Sequence, residues 1–290
     1  MRQGVLAAEA ELDGDCLDER HAGGPAAVAR RGRSRQREHW EKVAQTLPDL
    51  WGAASTQYYR RCEQALVRRH FGPLAGKRVL KLDLWNEAGN TRLLQWMSES
   101  GAAVFGIDLS WTTTARARAN FAAEGRSGHV TQSDIRWLPF ADGSFDHVYT
   151  MGTIEHIAEY EDAIAEIRRV LKPGGSALIG VPFLYDPFLR PLLVWVMDQF
   201  GKYPYSPERA FSGRGLRDAV ERSGLRVEFR TGLMFAPGVL RLADLYWHTR
   251  GSRLRRLTPP VLHLFEFAER RWEWARRLGY LLAVVAHKQS

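Results

Sequence analysis

Two cysteines in 290 residues leave no disulfide framework. Neither Cys16 nor Cys62 stands in a metal-ligand pattern, so no metal is expected and a reducing, cytoplasmic setting is. Long hydrophobic runs are also lacking. The longest, Pro187 to Met197, is interrupted by Arg190 and falls short of the roughly 18 apolar residues that span a bilayer. Residues 1–20 carry Glu9, Glu11, Asp13, Asp15, Asp18 and Glu19 where a secretory leader needs an apolar stretch, and no leader is expected. Lysine is scarce, so arginine carries most of the formal net charge of +8. A basic balance admits nucleic acid, a membrane surface or an anionic small molecule and does not choose among them.

What is present is enough for a folded core, since 45% of the residues are apolar. Residues 1–38 are rich in Ala, Gly and charge and end in Arg30-Arg31-Gly32-Arg33-Ser34-Arg35-Gln36-Arg37. We expect a disordered basic tail there, with an arm for nucleic acid or anionic lipid as the alternative. A helical pattern covers Glu41 to His70. Short apolar strands and helices then alternate, beginning with a strand over Arg78–Leu84, and Pro173-Gly174-Gly175 closes an amphipathic helix over 160–171. This order predicts an α/β fold: a Rossmann-like sheet, mostly parallel with an antiparallel last strand, and helices on both faces. Two stretches exceed it, at 182–211 and 236–278, and are expected to form helical lid segments on a domain that runs over 39–290.

Parallel α/β sheets bind ligands beyond the carboxyl ends of their strands. The strand Val104-Phe105-Gly106-Ile107-Asp108 ends in an acid able to accept both hydroxyls of a ribose, or equally to cap the next helix. Ser133-Asp134-Ile135 offers a second acid with an apolar neighbour for a purine ring. These are followed by Leu138-Pro139-Phe140-Ala141-Asp142-Gly143-Ser144-Phe145-Asp146, Glu155-His156, and Glu166 through Gly175. The series resembles the class I S-adenosylmethionine (SAM)-dependent methyltransferases of the ubiquinone-biosynthesis type, over roughly 75–232 and the final strand. The resemblance implies SAM as cofactor, Asp108 on the ribose and Asp134 near the adenine, with Leu109, Ile135 and Met151 lining the same site.

The first loop departs from that family. Its usual strand-end acid and Gly-x-Gly-x-Gly are replaced by Val79-Leu80-Lys81-Leu82-Asp83-Leu84-Trp85-Asn86-Glu87-Ala88-Gly89. One register puts Lys81 at the acidic position. The other, which we prefer, puts Asp83 there, with Trp85 and Glu87 in place of two glycines and Gly89 retained. Side chains would then do what close backbone approach does elsewhere, Asp83 or Glu87 meeting cationic groups and Trp85 offering a ring face. A loop that has lost its ligand is the alternative, making the chain a catalytically silent SAM- or nucleotide-binding protein.

Methyl transfer needs alignment more than a catalytic triad, and none is visible. His156 is the candidate base, against a packing role beside the cofactor. Tyr185, Asp186 and His248 are weaker candidates to face an acceptor. The two added segments are rich in Phe, Tyr and Trp, which suits a small hydrophobic or lipid-like acceptor. The second also carries eight arginines between 250 and 277. Peripheral membrane contact and an ordinary core with a solvated rim both remain open. A nucleic-acid methyltransferase is disfavoured: the fourth strand leads into Thr150-Met151-Gly152-Thr153, not the Asn/Asp-Pro-Pro-Tyr/Phe of base-modifying forms.

Overall fold

The computed structural model describes residues 25–203, 205 and 208–289. Its elements run α1 (Pro25–Gln45), α2 (Ala54–His70), β1 (Arg78–Lys81), α3 (Trp85–Gly89), α4 (Leu93–Glu99), β2 (Ala103–Asp108), α5 (Trp111–Ala123), β3 (His129–Gln132) and β4 (Phe145–Met151). They continue with α6 (Tyr160–Val170), β5 (Leu171–Pro182), α7 (Arg190–Gln199), α8 (Gly213–Arg222), β6 (Leu225–Leu233), α9 (Gly238–Thr249), α10 (Thr258–Arg271), α11 (Glu273–Arg277) and β7 (Leu281–Lys288). Two 3₁₀ turns, Ile154–His156 and Arg253–Leu257, interrupt the connections.

The seven strands lie in the order β3-β2-β1-β4-β5-β7-β6. Strands β1 to β5 pair in parallel, and β7 runs antiparallel between β5 and β6. This is the expected Rossmann-like sheet. The chain builds outward from β1 to β2 and β3, then returns to place β4 on the other side of β1. That reversal opens a crevice at the carboxyl ends of the central strands. Burial follows the layering. β7 is apolar and buried from Leu281 to Ala286 because both sheet faces are covered. α6 instead buries one stripe, Ala163, Ile164, Ile167 and Val170, at helical spacing. Gly174, at φ +75°, lies inside β5, in the irregular stretch between the Leu171 pairing with Phe145 and the Ser176 pairing with His147.

Four expectations are corrected here. The basic run is not a disordered tail throughout: residues 25–38 belong to α1, and residues 1–24 lie outside the described residues. Good helix formers make that helix, and Gln36, Trp40 and Glu41 tie its second half to the domain, as described below. The pattern over 41–70 is two helices, because Pro48 falls in a break between Gln45 and Ala54. The first strand ends at Lys81, which pairs with Gly106 and Tyr149, so Lys81 and not Asp83 holds the strand-end position. The loop expected after it is a short helix, α3, whose Glu87 and Gly89 are both buried.

Candidate functional site

A cleft of about 310 Å³ opens at the carboxyl ends of β1 to β4, at the small end of the range for ligand pockets. Leu82, Asp83 and Trp85 reach it after β1, Asp108 and Leu109 after β2, Asp134 and Ile135 after β3, and Met151 and His156 at and after β4. All of these except Leu82 are positions singled out from the sequence, and the fold brings them to one cleft. Glu87 and Gly89 do not line it. Glu87 is wholly buried and accepts from the Leu94 amide (3.0 Å), and Gly89 is packed against the Pro48 carbonyl and Leu47. Tyr185, Asp186 and His248 also lie outside the cleft. Asp186 accepts from the Arg190 amide (2.8 Å) at the start of α7, and His248 packs on Gly52.

The first loop is held from below by charge. The Lys81 side chain is fully buried, and its Nζ lies 2.8 Å from Asp83 Oδ1 and 3.8 Å from Glu87 Oε1. It also donates to the Asp83 carbonyl (2.7 Å). Burial works to lower the Lys81 pKa, but Asp83, Glu87 and Glu63 outweigh it and the group is held above its ordinary value. Burial pushes the Glu63 carboxyl up to about 7, and Glu63 accepts from the Tyr149 hydroxyl (2.8 Å). Asp83 is thereby turned to the cleft with Oδ2 buried and without a protein partner.

Asp108 has one backbone donor on each oxygen: the Ser110 amide on Oδ1 (2.8 Å) and the Leu84 amide on Oδ2 (2.9 Å). The capping reading and the binding reading are thus compatible, since each carboxylate oxygen keeps a second lone pair. Burial raises its carboxyl to about 6. Asp134 is more heavily engaged. Its Oδ1 takes the Arg136 amide and Nε (both 2.9 Å) and its Oδ2 takes an Arg136 guanidinium nitrogen (2.6 Å).

Several lining residues were missed. Gln36 and Trp40 of α1 close one side: Gln36 donates to the His156 carbonyl (3.0 Å), and Trp40 meets the His156 ring edge-on at 4.9 Å. Glu41 fastens the same helix to the start of α5 by accepting from the Ser110 hydroxyl (2.8 Å) and from Thr112. A run of arginines concealed these contacts, and only the spacing of Gln36, Trp40 and Glu41 signalled a helical face. The cleft is also lined by Arg190, Tyr203, Tyr205 and Glu208 from the first added segment, and by Arg241, Leu242 and Leu245 of α9 from the second. Both added segments therefore border the cleft.

Glu155, His156 and Glu208 bring possible ligand atoms within 4.8 Å of one another. Glu208 is already engaged by a bidentate Arg190 (2.5 and 2.8 Å) and by the Tyr203 hydroxyl, so a guanidinium stands where a cation would compensate it. Burial, with Glu208 nearby, holds the Glu155 carboxyl well above the usual range, and its Oε2 has no protein partner.

These orphaned atoms fit SAM. Asp83 Oδ2, Glu155 Oε2 and Thr153 Oγ1 are buried polar atoms without protein partners on residues that line the cleft, as a ligand bearing an ammonium, a sulfonium and hydroxyls requires. Asp108 would hold the ribose hydroxyls, with Ile107, Leu109 and Ile135 as apolar walls. Asp134 Oδ2 retains a lone pair for one donor. Bound there, SAM would supply an activated methyl group, and the residues around it would supply alignment.

Residues 74–179 match the family model described as a methyltransferase domain. A demethylmenaquinone methyltransferase of Thermus thermophilus is 29% identical over 59% of this chain and 83% of its own length. A malonyl-[acyl-carrier protein] O-methyltransferase of Enterobacter lignolyticus is 29% identical over 67% and 73%. A chain from the complex between the Haloferax volcanii Trm112 methyltransferase activator and a methyltransferase superposes with a TM-score of 0.57 at 18% identity, covering 88% of this chain and 97% of that one. With the acids at the strand ends in place, residues 74–179 carry a SAM-dependent methyltransferase domain, and the chain is similar to the class I enzymes of the ubiquinone-biosynthesis type.

Proposed function

We propose that the methyl acceptor is a small hydrophobic, lipid-like molecule carrying an oxygen or a ring carbon activated by oxygen, such as a reduced quinone ring. The carrying observation is the wall of the cleft away from the strand ends. It is built by Trp40, Tyr203, Tyr205, Leu242, Leu245 and Tyr280, a predominantly aromatic and apolar surface. The demethylmenaquinone relative points the same way. The malonyl-carrier relative suggests a carboxylate acceptor instead, which Arg241 at the cleft would favour.

In this reading His156 stands where a proton would leave the acceptor. Trp40 fixes its ring, and Glu155 Oε1 lies 3.8 Å from its Nε2. The test is transfer of labelled methyl from SAM to short-chain naphthoquinols, catechols and malonyl thioesters by the purified chain. Turnover on the quinol or phenol acceptors, reduced by roughly 10²–10⁴-fold in His156→Ala with SAM affinity retained, supports the reading. Turnover confined to the malonyl thioester overturns it.

A further inference from the structure

We propose that α7, α9, the 3₁₀ turn Arg253–Leu257 and α10 form a docking face for an anionic membrane surface. The observation that carries this is an inside-out helix. α10 buries Thr258, Leu262, Glu266 and Glu269, and its two glutamates face α2. Glu266 makes a bidentate pair with Arg61 (2.6 and 2.7 Å), and Glu269 accepts from Tyr58 and Cys62. The opposite side carries Leu257, Val261, Leu264 and Phe267, one stripe at helical spacing. All four are exposed, Leu264 to 70% and Phe267 to 62%. A water-facing helix would place its glutamates out and its leucines in.

The neighbouring elements repeat the pattern. α9 exposes Val239, Leu242 and Tyr246 at positions i, i+3 and i+7. α7 reads Arg-Pro-Leu-Leu-Val-Trp-Val-Met-Asp-Gln, and its one buried residue is Arg190. Its Leu192 and Trp195 are exposed, as is Phe200 just beyond. Such an assembly of outward apolar stripes is more than scattered surface residues require.

Charge selects the occupant. Eight arginines and three glutamates lie between 250 and 277, and two of those glutamates are buried against α2. Arg253, Arg255, Arg256, Arg270 and Arg271 are exposed and form no ion pair among the described residues. They flank the α10 stripe at both ends, with Trp272 and Trp274 exposed beside the second group. Apolar side chains rimmed by arginine and tryptophan match the boundary between acyl chains and anionic headgroups. A second copy of the chain would bring the arginines against arginines. Among the described residues no helix is long and apolar enough to cross the bilayer, so the contact is with its surface. Leu242 is both exposed on this face and part of the cleft wall, so docking sets the cleft mouth against the acyl region. The proposal rests on the lipid-like acceptor for its purpose, though not for its geometry.

The experiment is co-sedimentation of the full chain with phosphatidylcholine vesicles, with and without phosphatidylglycerol. Binding that needs phosphatidylglycerol, weakens with salt, and falls about fivefold for each of Arg255→Ala and Arg256→Ala is expected. Leu264→Glu with Phe267→Glu should abolish it while S-adenosylhomocysteine affinity stays within twofold, which shows that the variant is folded. Absence of binding at low salt, equal binding to neutral vesicles, or a concentration-dependent dimer that the Leu264→Glu/Phe267→Glu variant dissolves would overturn the proposal. Turnover of a water-soluble short-chain acceptor separates the two readings: it survives a failure of docking, and its failure leaves vesicle binding untouched.

Discussion

Asp108 ties binding to pH. Burial raises its carboxyl from 3.8 to about 6 in the ligand-free protein. Folding thus favours its protonated form, and its contribution to stability falls as pH rises between those two values. Binding runs the other way, because two ribose hydroxyls donate to the ionised form and lower its pKa. Affinity for S-adenosylhomocysteine should be flat above about pH 7 and should weaken below about pH 6, by at most about tenfold per unit. Calorimetry across that range checks it. Asp108→Asn should bind weakly with no such slope; a wild-type profile flat down to pH 5 would refute the assignment. At Lys81 the same physics concerns stability. Its ammonium is the buried counter-charge for Asp83, Glu87 and Glu63. Lys81→Met leaves those carboxylates uncompensated and should cost about 3–5 kcal/mol in urea unfolding. Adding Glu87→Gln should recover part of that loss. A cost within about 0.5 kcal/mol would show that the cluster does not hold the loop.

Elements differ in how openly the sequence declares them. Strands β2 to β5 and the helix α6 were legible because apolar period and turn glycines agree, as in Val104 to Ile107 followed by Asp108, or Ile164 and Ile167 before Gly174. The first loop was not, because the choice between Lys81 and Asp83 depends on strand pairing across Gly106 and Tyr149, which no local pattern contains. Glu87 misled for a related reason. A charged residue in a cofactor loop suggests a ligand contact, but its partner is a buried lysine six residues earlier. α1 was hidden by its arginines. Its place over the cleft makes it a wall: Trp40 contacts the His156 ring and lies 6.5 Å from Tyr205. Aromatic pairs contribute about 0.5–1.5 kcal/mol beyond area. Trp40→Ala should therefore lower the unfolding midpoint by a few °C and, because it opens the acceptor wall, raise the acceptor KM by roughly 2–10-fold. Steady-state kinetics with a short-chain acceptor decides; an unchanged KM would remove α1 from the acceptor wall. Gly180 tests the opposite wall. A Cβ there would come 1.8 Å from Met151 Sδ, so Gly180→Ala must push Met151 toward the cleft or part β4 from β5. It should lower S-adenosylhomocysteine affinity at least tenfold; full affinity in calorimetry would show that the strands absorb the methyl elsewhere.

At the scale of the whole molecule, the cleft joins parts that are remote in sequence. Gln36 and Trp40 precede the sheet, Asp83, Asp108, Asp134 and Met151 come from four successive strand ends, and Arg190, Arg241 and Tyr280 follow the last parallel strand. A ligand touching all of them acts as a cross-link between α1, the sheet and the added segments. Anything that binds the folded chain alone stabilises it by about 2.7 kcal/mol at a hundred times its dissociation constant, which for a chain of this size is a rise of about 5 °C in Tm. The cross-link makes a sharper claim than the shift itself. Arg136 donates both to Asp134 and to Gln36 (3.0 Å), so a ligand that orders Asp134 also orders α1. S-adenosylhomocysteine should therefore slow amide exchange in 34–45 together with the loop 82–92, by up to about a hundredfold at that saturation, whereas the solvent-facing turn at 253–257 should exchange as before. If only the strand ends gain protection and 34–45 does not, α1 is a bystander beside the cofactor. The acceptor wall would then consist of the two added segments alone.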